Sequence, residues 1–511
     1  MMLVALCFGG VGLHFLGLMR HDYDEGQYIA LAQAIGAGEV PLRDFFYHQT
    51  AYFLYLLSWL PEPHSENLWL YRLPALAGSC LTGVVLYWIA RDGLKLRFAI
   101  LAPVFFYGSL LLDPGLQALP HGLMIFCTAL GIYLIFVRGE RQHVVWGAVV
   151  MATGVCLKPL AIAPVIASAL ALGLLPRYRT HWFTYCLTIA AVGTLGFLGM
   201  HLLTDGGFTH ALTLQFSRTS AQSGVQIMKT LPGLSADMEA LGDVSSVLFN
   251  VAIHGIALTR LPLSFPGDYL FANSTLHVVL LGLGGLWALG RNRKDSPWFV
   301  VLGLWWAFAF GFICFVWSPS WQDYLIQYIS PMALLAAVCL DRFLQGETLR
   351  SLRVVLVIAL VAIAVTVKAA AWDRGMKMEA DEVHKIQSQS IGEMSWVTFD
   401  PYLRFKTDRT EACGLRDPLT AFGLPTDLPG LEVFESQRLT MADVLKCLET
   451  AEPTGIWVDD ESLMYIDESF ARYLLCQDRH LVVYHQPHHA RRLRERVGLK
   501  FISGKLCEEH W

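Results

Sequence analysis

Long apolar runs recur along most of this chain and limit its fold more than any other feature. They repeat between residues 3 and 371, and each is about 17 to 22 residues long, close to what an α-helix needs to cross a bilayer core. Charged residues make up only 16% of the sequence, whereas an average soluble protein has about 25%. The pattern therefore predicts a polytopic α-helical membrane protein.

The runs predict about eleven transmembrane helices. Residues 2–19 have no basic start and no small-residue cleavage site before Arg20, which indicates an uncleaved first span rather than a signal peptide. The predicted spans lie near residues 3–19, 69–90, 98–112, 121–137, 143–157, 159–175, 182–203, 273–290, 297–317, 324–343 and 354–371.

Lysine and arginine are concentrated in alternate short loops, which orients the spans. Cytoplasmic loops are enriched in these residues, so we expect a cytoplasmic N-terminus and an extracytoplasmic C-terminus. We expect the inner (plasma) membrane of a prokaryote, because no endoplasmic-reticulum retrieval signal ends the chain; an endoplasmic-reticulum location stays open. The basic loop residues are Arg91, Lys95, Arg97, Arg138, Arg141, Arg177, Arg179, Arg291, Arg293, Lys294, Arg342, Arg350 and Arg353.

Three larger segments fall on the expected outer side: loop 20–68, loop 204–272 and the tail 372–511. Residues 1–371 then form the transmembrane domain. The tail is long enough for one small domain, and its β-like and helix-like runs alternate, which predicts a soluble α/β fold. Its four cysteines allow two disulfides in three connectivities, or four free thiols: Cys413, Cys447, Cys476 and Cys507.

The first outer loop places several ionisable groups directly beside an apolar segment. Residues 24–36 have helical periodicity, which predicts a short amphipathic helix in the interface plane, and a second helix is expected to begin near His48. Asp22 is a candidate N-cap, and Glu25 stands three residues later, as in a capping box. The acids either cap a surface helix or form a functional group where desolvated charge is costly.

Three stretches carry a resemblance to a known family: DEGQYIALAQAIGAGEVPLRDFFYHQTAYFLYLLSWL, GVCLKPLAIAP (154–164) and WQDYLIQYISPMALLAAVCLDRF (321–343). They resemble the glycosyltransferase-C superfamily, in the branch that holds protein O-mannosyltransferases and lipid A aminoarabinose transferases (the bacterial family-39 type). The first stretch is similar to that branch's first outer loop with its two juxtamembrane helices. The resemblance covers roughly residues 1–371, whereas the tail matches only in position and size.

The resemblance implies a membrane glycosyltransferase that transfers a hexose or pentose from a polyprenyl-phosphate donor. The acceptor would be a lipid, a glycan or a protein on the outer face, and the reaction would invert the anomeric centre. The family's catalytic aspartate corresponds to Asp24, which would act as general base. Its neighbour corresponds to Glu25, which would orient the acceptor or a metal.

The leaving lipid phosphate needs cations or hydrogen-bond donors. Lys158, Tyr324 and Arg43 are the candidates for this role. Each also has a plain structural explanation: a snorkelling lysine at the membrane edge, an aromatic-belt tyrosine and a surface charge.

Further candidates could contact substrate. Some relatives hold a divalent metal at a position that corresponds to His48, so a metal stays open, and no other cofactor is implied. The chain departs from the family pattern just after His48, at Gln49-Thr50-Ala51. The full set of candidate substrate residues is His48, Gln49, Asp113, His121 and Asp323.

Several function classes are disfavoured. The sequence has no P-loop, no dinucleotide-binding glycine motif, no nucleophile elbow and no basic stripe for nucleic acid. A flippase or transporter for lipid-linked sugars and a noncatalytic assembly subunit remain alternatives. An O-antigen polymerase or ligase is a further rival, although loop 204–272 has only three basic residues, Arg218, Lys229 and Arg260.

Overall fold

The computed structural model describes most of the helical bundle and parts of the tail. The described residues are 8–10, 13, 23–47, 49–110, 117–219, 276–291, 297–312, 326–344, 395–398, 401–407, 413, 440–450, 454–458, 466, 468–476, 481–484 and 491.

The loop predicted to be the first outer loop contains two short helices in its described residues, α1 (Tyr23–Gly36) and α2 (Tyr52–Leu57). Helix α1 ends at its predicted glycine, but α2 begins later than expected. Gln49 and Thr50 instead form a non-helical link, in which the Thr50 hydroxyl donates to the carbonyl of Leu157 (3.3 Å).

The prediction that α1 is an amphipathic helix with only one buried face was wrong. Its residues between Glu25 and Ala34 are buried on nearly every side, apart from Gln33. The reason is that a tail helix covers the face that would otherwise meet solvent or lipid headgroups.

Ten further helices follow among the described residues up to Leu344. Helices α3 and α5 each continue into a π-helical turn, Ile89–Gly93 and Tyr133–Arg138. The helices are α3 (Leu68–Trp88), α4 (Leu101–Leu110), α5 (His121–Ile132), α6 (Arg141–Leu157), α7 (Ile162–Leu174), α8 (Trp182–Leu203), α9 (Gly207–Thr219), α10 (Leu276–Arg291), α11 (Trp298–Gly311) and α12 (Ile326–Leu344).

Within the described residues, three helices are long and apolar enough to cross a membrane: Leu68–Gly93, His121–Arg138 and Arg179–Leu203. They match three predicted spans to within a few residues. Helices α4, α6, α7, α10, α11 and α12 overlap further predicted spans, whereas α9 falls in the predicted loop 204–272. Residues 354–371 lie outside the described part. The protein is thus a helical membrane protein, whereas the count of eleven spans stays a prediction.

Small residues let the central helices approach closely. At Gly78 of α3, an added Cβ would lie 2.4 Å from the backbone of Gly122 in α5, and at Gly285 of α10 it would lie 1.8 Å from the Leu335 carbonyl oxygen in α12. Such contacts between backbones stabilise helix packing in membranes, where lipid is as apolar as the helices. They fix the relative height of helix ends, and those ends carry the polar residues of the candidate site.

The two sets of loops predicted to face opposite sides lie at different ends of the bundle. At one end, Lys95, Arg177 and Arg342 line a cavity of about 980 Å³ between helix ends. At the other end, α1, α2 and the segment 117–121 meet the C-terminal ends of α6 and α8 in a second buried cluster. The side of the membrane that each end faces stays a prediction.

The tail contains a three-stranded parallel sheet in the order β1 (Trp396–Val397), β2 (Gly455–Val458), β3 (Leu481–Tyr484). The strands and two helices, α14 (Met441–Thr450) and α15 (Glu468–Cys476), share a buried core, as the alternating runs predict. A disulfide joins Cys413 to Cys447, one of the pairings that the sequence left open. A short helix after β1, α13 (Pro401–Lys406), leaves this core and packs against α1.

Candidate functional site

A fully buried ion pair joins the first turn of α1 to α3. Both side chains, Glu25 and Arg72, are 0% exposed, and they make two parallel contacts: Nε to Oε1 at 2.6 Å and Nη2 to Oε2 at 2.7 Å. This bidentate geometry is the strong form of an arginine–carboxylate interaction. The pair fixes the height and rotation of the α1 N-terminus against the bundle.

Two further residues complete this network. The backbone N–H of Ala118 donates to Glu25 Oε1 at 2.8 Å. Arg72 Nη2 also donates to the hydroxyl of Tyr402 at 3.0 Å, and the guanidinium lies 5.3 Å from the centre of that ring. Three separate parts of the chain, namely α3, the segment before α5 and the tail helix α13, therefore hold one carboxylate of α1.

Lys158 is buried at the C-terminal end of α6 and reaches α1. It is 1% exposed, and its backbone is extended because Pro159 follows and the helix cannot continue. Its Nζ donates to the Tyr28 hydroxyl at 3.2 Å and lies 5.8 Å from that ring's centre, while the Tyr28 hydroxyl donates to Gln49 Oε1 at 3.2 Å. The structure thus brings Lys158 and Gln49, two predicted site residues, to one tyrosine.

Asp24 lies in the first turn of α1 and is partly buried, unlike its neighbour Glu25. It precedes Tyr28 by four residues, so the two occupy one face of the helix with about 5–6 Å between their Cβ atoms. The helix N-terminus also carries a positive partial charge, which favours the ionised carboxylate. Asp24 therefore stands one helical turn from the tyrosine that Lys158 contacts.

His121 begins α5 at the same end of the bundle. It is 2% exposed and lies within electrostatic range of Lys158. One turn later, Met124 accepts a weak hydrogen bond from Gln327 near the start of α12, with 3.8 Å between nitrogen and sulfur. The start of α12 therefore lies beside the His121 region.

Arg43 is placed differently. It is half exposed in the α1–α2 connection and pairs with Asp44 at 2.8 Å and with Asp205 at 3.6 Å. The guanidinium of Arg43, together with the Val40 N–H, lowers the pKa of Asp44. Among the described contacts of Arg43, none is with Lys158 or Glu25.

Four predicted site residues lie outside the described residues: His48, Asp113, Asp323 and Tyr324. Across the described part of the chain there is no group of three metal-ligating side chains. His48 lies outside the part of the chain in which this holds, so the metal left open there stays a prediction.

The sequence interpretation missed Arg72, Tyr28 as a polar contact, and Tyr402. Arg72 carried a usable signal, because a charge inside an apolar span is costly and marks a functional or structural site. Tyr402 carried no such signal, since it lies 330 residues from its partner Arg72.

The fold has a counterpart among solved structures. It is similar to the crystal structure of the Archaeoglobus fulgidus oligosaccharyltransferase in the apo form, with a TM-score of 0.50 and 12% sequence identity, over 86% of this chain and 68% of that chain. This chain shares that fold. At 12% identity the likeness shows the fold alone, so the glycosyltransferase-C superfamily and the branch within it stay predictions from the sequence.

A crystal structure of the same archaeal protein in complex with Zn and sulfate matches with a TM-score of 0.47 and 13% identity, over 80% of this chain and 62% of that chain. Comparison with protein-family models finds no match, and comparison with curated protein sequences finds none either.

Proposed function

We propose that this protein is an integral membrane glycosyltransferase that transfers a sugar from a polyprenyl-phosphate donor to an acceptor on the outer face of the membrane. The observation that carries the proposal is that a carboxylate and a buried ammonium group both lie near one tyrosine of α1. Asp24 and Lys158 both neighbour Tyr28, at the end of the bundle where α1, α2 and the tail helix α13 converge. The shared fold with an oligosaccharyltransferase supports this class of reaction.

Asp24 acts as the general base. As the acceptor oxygen bonds to the anomeric carbon, its proton passes to the Asp24 carboxylate, and the bond from that carbon to the phosphate oxygen breaks. The electron pair leaves with the lipid phosphate. One displacement with one base and no enzyme nucleophile gives inversion, and a positioned base contributes about 10²- to 10⁴-fold to the rate.

Lys158 stabilises the phosphate as its negative charge grows. An ammonium group in a buried site is already oriented and acts through a low dielectric, so it stabilises developing charge more than it would in water. Tyr28 holds the Lys158 Nζ through a hydrogen bond and the face of its ring, and Gln49 in turn orients the Tyr28 hydroxyl.

Glu25 has a different role from Asp24. Its oxygens accept hydrogen bonds from Arg72 and Ala118, and its side chain is 0% exposed. We assign it to orientation of the α1 N-terminus, not to proton transfer. Arg43 and His121 remain candidates for contacts with donor or acceptor.

A kinetic test separates the role of Asp24 as general base from the role of Lys158 in stabilising the phosphate. Purified full-length protein in nanodiscs is given radiolabelled polyprenyl-phosphate sugars one at a time, and labelled membrane products are recovered. For the sugar that is transferred, Asp24→Asn should lower kcat by at least about 100-fold with little change in donor KM. Lys158→Gln should lower kcat by about 10²- to 10³-fold and also weaken donor binding.

Asp44→Asn is the matched control, because Asp44 is an exposed carboxylate of the same loop that pairs with Arg43. It should leave transfer unchanged. Full activity of Asp24→Asn would refute the assignment of the base. Movement of the lipid-linked sugar across the bilayer, with no covalent product, would identify a flippase instead.

A further inference from the structure

We infer that Tyr402 of the tail is a positioning residue for the candidate site, so that docking of α13 on α1 is required for full activity. The inference rests on the proposed function for its kinetic part. Its structural part concerns how the tail holds the N-terminal turn of α1.

The first observation is the burial of the contact. Tyr402 is 1% exposed, and its hydroxyl meets Arg72, whose other contacts hold Glu25. An arginine held between a carboxylate and a tyrosine has its orientation fixed in two directions. Tyr402 therefore constrains Glu25 through Arg72, and hence Asp24, which is the preceding residue on the same helical turn.

The second observation is the closeness of the two backbones. A Cβ added at Gly26 would lie 2.3 Å from the Tyr402 backbone nitrogen and 2.9 Å from its Cα. Glycine is a poor helix former, so its presence in the first turns of α1 has a local cost. The close approach of α13 explains why the residue after Asp24 and Glu25 has no side chain.

The third observation is that the contact continues along α1. Arg404 is 8% exposed, and its Nη2 lies 3.4 Å from Gln33 Oε1, two turns after Gly26. Phe405 joins the same buried cluster as Tyr28. Helix α13 and its side chains thus contact α1 between Gly26 and Gln33, whereas the rest of the described tail forms its own core.

Together these contacts make the tail a structural part of the site. If α13 leaves α1, Arg72 loses one partner and the N-terminal turn of α1 loses its cover. Because a general base must lie within hydrogen-bond reach of the proton it takes, loss of this constraint should lower the chemical step rather than donor binding.

The experiment compares Tyr402→Phe with Tyr473→Phe in the full-length protein in nanodiscs. Tyr402→Phe removes only the hydroxyl that meets Arg72, while Tyr473 packs in the tail core beside Phe470. We expect Tyr402→Phe to lower kcat about tenfold, as expected for loss of one hydrogen bond to a charged group, with donor KM unchanged. Tyr473→Phe should change neither.

Hydrogen exchange of peptides covering residues 23–36 supplies a readout independent of activity. Tyr402→Phe should speed exchange in the first turns of α1, and Tyr473→Phe should not. Gly26→Ala, which forces a Cβ against the Tyr402 backbone, should speed it further. Gly36→Ala at the far end of α1, where the nearest atom would be the Ser58 carbonyl oxygen at 3.5 Å, is its matched control.

Each outcome decides a separate point. Unchanged exchange in both Tyr402→Phe and Gly26→Ala would overturn the docking of α13. Faster exchange with unchanged kcat would overturn the positioning role. If the wild-type protein transfers no sugar, the proposed function and the kinetic role fail together, while exchange still tests the docking.

Discussion

Removal of Arg72 should destabilise the protein strongly, because it leaves a buried carboxylate with its main partner gone. In Arg72→Met the methionine side chain fills most of the space of the arginine's hydrocarbon part, so the main loss is the guanidinium group. Glu25, at 0% exposure, would retain only the Ala118 N–H among its described partners. The cost is that of an uncompensated buried charge rather than of lost packing.

The size of the effect follows from the burial. Breaking a buried ion pair by removing one partner costs about 3–5 kcal/mol, which is a large share of the roughly 5–15 kcal/mol that stabilises a typical protein. Glu25→Gln combined with Arg72→Met removes both charges and keeps an acceptor for Ala118. The double variant should therefore be more stable than Arg72→Met alone, by about 1–3 kcal/mol.

The assay is equilibrium unfolding of the full-length protein in mixed micelles titrated with SDS, for the wild type, both single variants and the double variant. Arg91→Met is the control, since the Arg91–Asp92 pair has similar geometry but is exposed to solvent. It should give no measurable change, because exposed pairs contribute little.

Two results would refute this reasoning. One is a loss below about 1 kcal/mol for Arg72→Met, which would mean that the pair is open to water. The other is a double variant whose loss equals the sum of the single losses, which would mean that the two charges are not coupled.

Two predictions concern the tail. Cys447→Ser opens a disulfide with a sequence separation of 34 residues, so it should destabilise the tail by about 3–4 kcal/mol. Hydrogen exchange should become faster in β2 and α14 and stay unchanged in α3. Asp443 and Thr440 cap α14 reciprocally, and these hydrogen bonds lower the Asp443 pKa below its ordinary value of 3.8. The cap therefore stabilises α14 above pH 3.8 and is lost as pH falls through the lowered pKa, so Asp443→Asn should remove this acid dependence of α14 exchange. Persistence of the same acid dependence in the variant would contradict it.

The helices were predictable where the apolar runs were long. Helices α3, α5 and α8 begin and end within a few residues of their predicted spans, because about 18 or more apolar residues have few alternatives to a membrane helix. The end of α1 at Gly36 and the tail runs that became α14, β2 and β3 also followed local signals.

The candidate site was predictable only in part. The acids and Lys158 could be singled out because each is a charge beside an apolar segment. Their partners could not, since Glu25 meets Arg72 across 47 residues and Arg72 meets Tyr402 across 330. Such contacts depend on how whole helices pack, and no periodicity within one segment encodes them.

The burial of α1 shows the same limit. Its sequence predicts one apolar face, yet the structure covers nearly all of it, because α13 comes from a distant part of the chain. Gly26, directly after Asp24 and Glu25, was the only local sequence signal of the contact between α1 and α13.

Single-turnover transfer with the active radiolabelled donor tests the central claim most directly. Equal amounts of wild type, Asp24→Asn and Asp44→Asn are loaded with donor to saturation, and bound donor and covalent product are counted separately. The proposal predicts that all three bind donor, and that only wild type and Asp44→Asn form product at the full rate. Product formation by Asp24→Asn at the wild-type rate, or its absence in the wild type, would contradict it.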